Sequence, residues 1–195
     1  MSLPDFSLPV FFANENATLL QEAIAKVEAP EGVSIRVVEF ETDLKAITDL
    51  PMNRFVDTIH PAYGMTSSDC SDELTLIATR NEAPIGHISA SFELIGKSQT
   101  NLDLFVSSVF VASGERKKGI ATALGKAMMH TAEAWRQQVA QSRGMNLMGD
   151  IDVSGDTEPD SGGEVIVTDM EGLAMELSDE AFDSCQTHNP DTPAP

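Results

Sequence analysis

Residues 102–134 read LDLFVSSVFVASGERKKGIATALGKAMMHTAEA, and this stretch decides the fold. Residues 102–111 are apolar and rich in β-branched and aromatic side chains, which predicts a strand buried on at least one face. Residues 112–118 are small, polar and basic, which predicts a turn. From Gly119 onward the apolar residues recur at helical spacing, which predicts a helix that extends as far as Arg143. The stretch is therefore strand, basic turn and helix.

The junction between the turn and the helix favours an anionic ligand. The first turn of a helix leaves about four backbone N–H groups without partners, and the helix dipole places positive charge there. Arg116, Lys117 and Lys118 add three cations at this end, which is unfavourable for a helix without a ligand. Gly119 and Ala121 leave the backbone accessible, so a pyrophosphate can approach the amides. A solvated basic turn without a ligand is the alternative that this local pattern leaves open.

The strongest feature of the composition is a net charge of −19 in 195 residues. Residues 1–149 contain 18 acidic and 12 basic side chains, and residues 150–195 contain 13 acidic side chains and no Lys or Arg. This charge excludes binding to nucleic-acid phosphate as the main role. It would attract a cationic substrate such as a polyamine, an aminoglycoside or a lysine-rich peptide. Solubility, or adaptation to a salty cytoplasm, explains the same charge without any substrate.

Length and composition predict one cytoplasmic domain. A chain of 195 residues is long enough to bury a substantial core. No apolar run approaches the ~20 residues of a membrane helix, and residues 1–10 lack the basic and apolar parts of a secretory signal. Cys70 and Cys185 are far apart in the sequence, which fits a reduced compartment and does not indicate a metal cluster.

Residues 111–121 read VASGERKKGIA and resemble the acetyl-coenzyme A signature of the GNAT superfamily of N-acetyltransferases. The core of that signature is Arg or Gln, two residues, Gly, one residue, and Gly or Ala. Arg116, Gly119 and Ala121 match it at the right spacing, and Val111 matches the valine that ends the family's strand. The sequence departs from the family at Lys117, where glycine is frequent. The preceding strand and the following amphipathic helix make the match more specific.

The resemblance covers about residues 33–143 and implies an α/β (α+β) fold. The expected architecture is a mixed, mostly antiparallel central sheet flanked by helices, followed by an atypical acidic C-terminal region. Residue patterns agree, because they predict a first strand, a pair of antiparallel strands, and helices before and between them. The predicted strands are 9–13, 33–40, 74–80, 85–94 and 102–111, and the predicted helices are 18–27, 42–50, 52–59 and 119–143. We divide the chain into an N-terminal extension (1–32), the GNAT-like domain (33–178) and an acidic, flexible tail (179–195).

The family pattern fails after the long helix. The family usually has a fifth strand there, then a helix with a tyrosine that acts as general acid, but Tyr63 is the only tyrosine of this chain. One interpretation makes residues 145–153 the fifth strand and supposes that the following helix is lost. The other makes residues 164–169 the fifth strand and 145–153 an insertion. We favour the first slightly. In either case the patterns predict a strand at 164–169, a strand or short helix at 171–177, and a short helix at 179–185.

The resemblance implies acetyl-CoA as co-substrate, with no metal. The turn amides would hold its pyrophosphate, while main-chain groups at the end of the strand pair with pantetheine and polarise the thioester. Arg116 and Lys117 contact the ribose phosphate instead, or simply face water. The residues expected to bind the cofactor are Val109, Phe110, Val111, Arg116, Lys117, Lys118, Gly119, Ile120 and Ala121.

The residues that perform the chemistry are less well defined. The attacking amine must lose a proton, and Glu93, Asp103 and His87 lie on strands near the presumed cleft and can accept it directly or through water. The alternative is that each of them is an ordinary strand residue, solvated or hydrogen-bonded, without a catalytic role. His60 and Tyr63 fall in the loop that forms one wall of the family's acceptor site, so we expect them to contact the substrate.

The leading hypothesis is an N-acetyltransferase that moves an acetyl group from acetyl-CoA to a primary amine of a small molecule or peptide by direct attack. A non-catalytic GNAT-like module that binds acetyl-CoA or a protein partner is the alternative, which the absent tyrosine favours. An acidic interaction protein whose tail imitates nucleic-acid charge is a third. We expect no nucleic acid and no membrane among the partners, and a homodimer is compatible with the N-terminal extension.

Overall fold

The computed structural model describes residues 17–38, 73–95, 101–145, 147, 149–155 and 163–187. Some predictions fall outside these residues: the strand at 9–13, the helices at 42–50 and 52–59, and the acceptor-loop residues His60 and Tyr63. The structure therefore bears on the sheet, on the long helix with its preceding turn, and on the segment that follows.

Five strands form one sheet in the order β1-β2-β3-β4-β5. Strands β1 to β4 are each antiparallel to the next, whereas β5 pairs with β4 in parallel. This confirms the mixed, mostly antiparallel sheet. The strands are β1 (Ser34–Val37), β2 (Glu73–Arg80), β3 (Ala83–Ile95), β4 (Asn101–Val111) and β5 (Ile151–Gly155).

Three described helices pack against one face of this sheet: α1 (Ala17–Ala25), α2 (Ile120–Arg143) and α3 (Gly163–Thr187). Helix α2 lies centrally, because its apolar positions recur at helical spacing and bury a continuous stripe against β2, β3 and β4. It ends at Gly144, whose left-handed conformation (φ 63°) lets the N–H groups of the cap bond back to the last turn. The predicted strand, turn and helix are confirmed.

The predicted strand at residues 164–169 is wrong, because these residues form the first turns of α3. The β-branched run of Val165, Ile166 and Val167 suggested a strand. In the folded protein Ile166, Met170, Ala174 and Leu177 are buried at intervals of four, four and three residues, as one face of a helix requires. Packing against α2 thus overrides local strand preference. Residues 171–177, for which the sequence left a strand or a short helix open, are helical.

The interpretation that the chain has lost the helix after its fifth strand is also wrong. Strand β5 begins at Ile151, later than the predicted 145–153, and α3 follows it. Helix α3 continues without a break through residue 178, where we drew the boundary of the domain. The division into three regions otherwise stays a prediction.

A buried arginine fixes the position of β5. Arg136 lies inside α2 with no exposed surface, and its Nε donates to Glu133 Oε2 at 2.6 Å. Its Nη1 donates to the carbonyl of Gly149 at 2.5 Å, and Gln137 Nε2 donates to the other Glu133 oxygen at 2.6 Å. The network therefore joins α2 to the segment that enters β5.

Candidate active site

Strand β4 has two halves with different partners. Residues 102–106 pair with residues 151–155 of β5. Residues 107–111 have no strand partner on that side in the described part of the chain, although β3 continues along their other side. Strand β5 ends at Gly155, opposite Val106, so in the described part of the chain residues 107–111 form a strand edge to which an extended ligand can add.

The end of the pairing between β4 and β5 coincides with a β-bulge in β4. Ser89 pairs with Ser108 and Ala90 pairs with Val106, so Ser107 is the extra residue. The hydroxyl of Ser107 donates to the carbonyl of Ser89 at 3.1 Å, which holds the bulge against β3. A bulge bends a strand locally and re-aims its backbone.

The turn between β4 and α2 presents backbone N–H groups. Lys117 and Gly119 both adopt left-handed conformations, with φ of 62° and 78°. The first helical hydrogen bond runs from the Ala123 N–H to the Gly119 carbonyl at 3.0 Å, so the N–H groups before Ala123 have no helical acceptor. No side chain caps the helix at Gly119. Such a concavity of amides at a helix start is suited to a phosphate group.

Lys117 shows how the chain departs from the family signature. The left-handed region costs an L-residue roughly 1–2 kcal/mol, and glycine avoids that cost. The turn nevertheless keeps this conformation with lysine at position 117. The turn therefore has the backbone geometry that the family's frequent glycine adopts without strain, but here lysine adopts it with strain.

The cations of the turn do not all point towards the amides. Arg116 Nε donates to the carbonyl of Val111 at 3.0 Å, so this side chain braces the turn against the end of β4. Lys118 Nζ donates to Glu115 Oε2 at 3.1 Å, and that oxygen also accepts from Arg80 Nη2 at 3.3 Å. The hydrogen bond from Lys118 is the main reason that the pKa of Glu115 is lowered from its ordinary value of 4.5.

Arg80 is a site residue that sequence reasoning missed. It ends β2, and because β2 and β4 run in the same direction, the end of β2 lies at the same edge of the sheet as the turn. Its Nη1 donates to the Glu31 carbonyl at 2.8 Å, while Nη2 contacts Glu115. Arg80 therefore joins the segment before β1 to the turn. The feature of the sequence that could have identified this residue was an arginine at the end of a predicted strand.

Glu93 and Asp103 lie directly opposite each other on β3 and β4, and Asp103 is also opposite Asp152 on β5. Paired residues point to the same face of a sheet, so these three carboxylates form a row across three strands. This row, which we call the acidic row, lies on the face away from α2, because the neighbouring Phe92 and Leu104 pack in the core beneath that helix. Glu93 and Asp152 are exposed, and Asp103 is half-buried.

His87 lies on the same sheet face but is separated from the acidic row and is only 1% exposed. Its Nε2 is 3.3 Å from the Ser108 hydroxyl, and its ring stacks on Phe110 with the centroids 6.1 Å apart. Burial lowers the pKa of His87 from 6.5 to about 3. The imidazole is therefore neutral at pH 7 and a weak proton acceptor, so this environment does not favour His87 as the base.

Within the described residues, no group of three or more His, Cys, Asp or Glu side chains could hold a metal ion. In the same residues, no helix has the length and apolar character needed to cross a membrane.

Two solved structures illustrate what the chain is similar to. The ribosomal-protein-alanine N-acetyltransferase of Brucella melitensis biovar Abortus 2308 is 17% identical, with a TM-score of 0.44 over 68% of this chain and 87% of that chain. The aminoglycoside 6′-N-acetyltransferase AAC(6′)-Ih of Acinetobacter baumannii is 19% identical, with a TM-score of 0.41 over 75% of this chain and 89% of that chain. A sequence search of curated proteins found no significant match.

The sequence model of the acetyltransferase (GNAT) family matches residues 44–143, which is 100 of the 195 residues. The match includes β2, β3, β4, the amide-rich turn and α2. The chain belongs to the GNAT acetyltransferase family, as the signature in residues 111–121 indicated. It is accordingly an acyltransferase.

Proposed function

We propose that the protein transfers an acetyl group from acetyl-CoA to a primary amine by direct attack of the amine on the thioester. One observation carries the proposal: the unpaired half of β4 (residues 107–111) leads directly to the uncapped amides at the start of α2. An extended chain ending in a pyrophosphate fits both parts at once, because one part binds backbone and the other binds phosphate.

Each part of the site has a separate role in holding acetyl-CoA. The N–H groups at Gly119, Ile120 and Ala121 bind the pyrophosphate, with Lys118 beside them. Among the described residues, a Cβ at position 119 would contact Pro30, at an ordinary van der Waals distance of 3.8 Å. Pantetheine lies along residues 107–111 as an added strand, beyond the end of the pairing of β5 with β4. Arg116 supports the turn through its hydrogen bond to Val111 and does not contact the ligand.

Acetyl-CoA supplies an activated acyl group whose leaving group is a thiolate. Backbone N–H groups beside the bulge at Ser107 donate to the thioester oxygen as negative charge develops there. The amine attacks only in its neutral form, so the ammonium first gives a proton to water. The carbon–sulfur bond breaks as the carbon–nitrogen bond forms, and the thiolate takes up a proton.

The acidic row indicates the class of acceptor. Like charges directly opposite each other destabilise a sheet, and a bound cation would remove this cost. Asp103 is four residues before Ser107, or about 13 Å along β4 at the usual strand rise, which is too far for direct contact with an amine at the thioester. The row therefore binds a second positive charge of the same molecule, and the acceptor is a polyamine, an aminoglycoside or a lysine-rich peptide.

Thermal unfolding with increasing CoA tests the cofactor site, since a ligand that binds only the folded protein raises the melting temperature with concentration. We expect a concentration-dependent rise for the native protein and none for Gly119→Asp, whose carboxylate would occupy the phosphate position. Arg143→Gln, at the far end of α2, is the matched control and should respond like the native protein. Absence of a shift in the native protein would contradict the proposal.

Thiol release from acetyl-CoA with a panel of amines tests the reaction and its acceptor. Spermidine and an aminoglycoside should be acetylated with a lower KM than butylamine, which carries one charge. Asp103→Asn should raise the KM for spermidine about two- to fivefold, the range of one partly exposed ion pair, and leave that for butylamine unchanged. Glu22→Gln on α1 is the control. Binding of CoA without thiol release across the panel would favour the non-catalytic module.

A further inference from the structure

Two large apolar side chains are exposed on the sheet face that carries the acidic row. Ile95 is 49% exposed and Phe105 is 38% exposed, although side chains of this kind are usually buried. They are two of the four large hydrophobic side chains that are exposed among the described residues, and the other two lie on α3. Exposed apolar surface beside polar groups is typical of a ligand-binding surface.

The strand register places the acidic row between these two side chains. Residues 91–95 of β3 pair with residues 101–105 of β4 without a break, since the bulge lies beyond this stretch. Ile95 is opposite Asn101, and Phe105 is opposite Ser91. Residues two apart on a strand share a face and lie about 6.8 Å apart, so Ile95 and Phe105 are each one such step from the carboxylates, on opposite sides of the row.

The ring of Phe105 has small neighbours on both adjacent strands. Ser91 is its partner on β3 and Ser154 is its partner on β5, so no large side chain stands beside the ring in that direction. Farther along the same face, towards the bulge, Ser89 is fully buried. Phe105 thus lies between the acidic row and the bulge, and an acceptor that reaches from the proposed thioester position to the row passes over its ring.

The order apolar, acidic, apolar along this face matches one kind of cation. An internal ammonium of a linear polyamine has methylene groups on both sides, which would contact Ile95 and Phe105 while the charge meets the carboxylates. An aminoglycoside has hydroxyl groups beside its amino groups, and apolar side chains cannot provide the hydrogen bonds that those hydroxyls lose on leaving water. A lysine side chain ends in its ammonium, so it has methylenes on one side only.

We propose that Phe105 and Ile95 are specificity-determining residues that select a linear polyamine as the acceptor. Phe105 contacts the methylenes between the reacting amine and the ammonium held by the acidic row. Ile95 contacts the arm that continues beyond the row, which spermine has and shorter diamines lack. This inference rests on the proposed function, and it narrows the acceptor from three classes to one.

Thiol release with two diamines of equal length tests the role of Phe105. Octane-1,8-diamine has an apolar spacer, whereas 3,6-dioxaoctane-1,8-diamine has the same length and two ether oxygens in the spacer. The native protein should use the first with a KM about four- to tenfold lower, the effect of removing one or two methylene groups from water. Phe105→Ser should remove this preference, and Phe105→Leu should keep most of it. Met175→Ser, which removes an exposed apolar side chain of α3, is the matched control and should keep the native preference.

Spermine tests the contact on the other side of the acidic row. Ile95→Ser should raise the KM for spermine about two- to fivefold, the effect of exposing part of one or two methylene groups. The same variant should leave the KM for octane-1,8-diamine unchanged, because that chain ends at the row. An equal effect on both acceptors would contradict the role of Ile95.

The outcomes separate this inference from the proposed function. If the native protein acetylates no amine of the panel, the proposed function itself fails. If it acetylates both diamines with equal KM, or if Phe105→Ser keeps the native preference, the transferase stands and the role of Phe105 is overturned. An aminoglycoside with a lower KM than spermine would overturn the choice of acceptor class. Because each measured quantity is a ratio of two KM values in one variant, a partial loss of folded protein does not imitate the expected result.

Discussion

At the scale of single residues, His87 gives this protein a characteristic dependence of stability on pH. The imidazole, on β3, contacts Ser108 and Phe110 of β4, and burial lowers its pKa from 6.5 to about 3. The unfolded chain takes up a proton near pH 6.5, whereas the folded protein resists it until about pH 3. Between these values the unfolded state binds more protons, so the free energy of unfolding decreases as the pH falls.

We expect His87 alone to reduce the free energy of unfolding by about 2 kcal/mol between pH 7 and pH 5. His87→Gln keeps an amide nitrogen near the Ser108 hydroxyl and cannot titrate, so the variant should lose less stability over this interval. Urea denaturation at both pH values measures the difference, and the carboxylates that titrate in the same range are common to both proteins. An equal loss in the two proteins would show that His87 is accessible to protons when folded.

At the scale of helices and strands, close contact between α2 and α3 decides the conformation of the segment that local sequence assigned to a strand. Gly125 of α2 makes room for this contact, because a Cβ there would lie 3.1 Å from Met170 Cγ and 3.3 Å from Ile166 Cγ2. Both are tighter than ordinary van der Waals contact. The two helices can therefore approach closely only with a very small residue at position 125.

Gly125→Val should destabilise the protein by about 1–3 kcal/mol, the usual effect of overpacking a core. Met170→Ala should also be destabilising, by about 2–5 kcal/mol, because it leaves a cavity. Combined, the two changes should cost less than the sum of the single changes, since the alanine makes room for the valine. Urea denaturation of the four proteins measures this coupling. Strict additivity would mean that the two residues are not in contact.

A comparison of the β4–α2 stretch with the start of α3 shows which parts of this fold can be predicted from the sequence. Strand β4, the turn and α2 were predictable because periodicity, turn residues and a family signature agree within one continuous stretch. Residues 164–169 were not, because their β-branched side chains favour a strand and only the contact with α2, far away in sequence, favours a helix. The residues of the site differ in the same way. Gly119 could be predicted because it lies in the signature, whereas Arg80 and Pro30 come close to the turn only through the arrangement of the sheet.

At the scale of the whole molecule, the proposed cleft begins where the pairing of β5 with β4 ends, so the position of β5 determines where a ligand can add to β4. Residues 151–155 provide the pairing. The network of Arg136, Glu133 and the Gly149 carbonyl joins the start of β5 to α2, whose first turn is the proposed phosphate site. The same helix therefore fixes both ends of the cleft, which makes this buried ion pair a determinant of site geometry as well as stability.

Arg136→Met should reduce the free energy of unfolding by about 3–5 kcal/mol, because it leaves the Glu133 carboxylate buried without its partner. The double variant with Glu133→Leu removes both charges and should recover most of this loss, since well-packed apolar residues often replace a buried ion pair at little cost. Arg143→Met, at the exposed end of the same helix, should stay within about 1 kcal/mol of the native protein. Urea denaturation gives all three values. If the double variant binds CoA as weakly as Arg136→Met despite its recovered stability, the arginine is required to hold β5 in place; if native affinity returns with stability, the cleft needs only a well-packed helix beneath it.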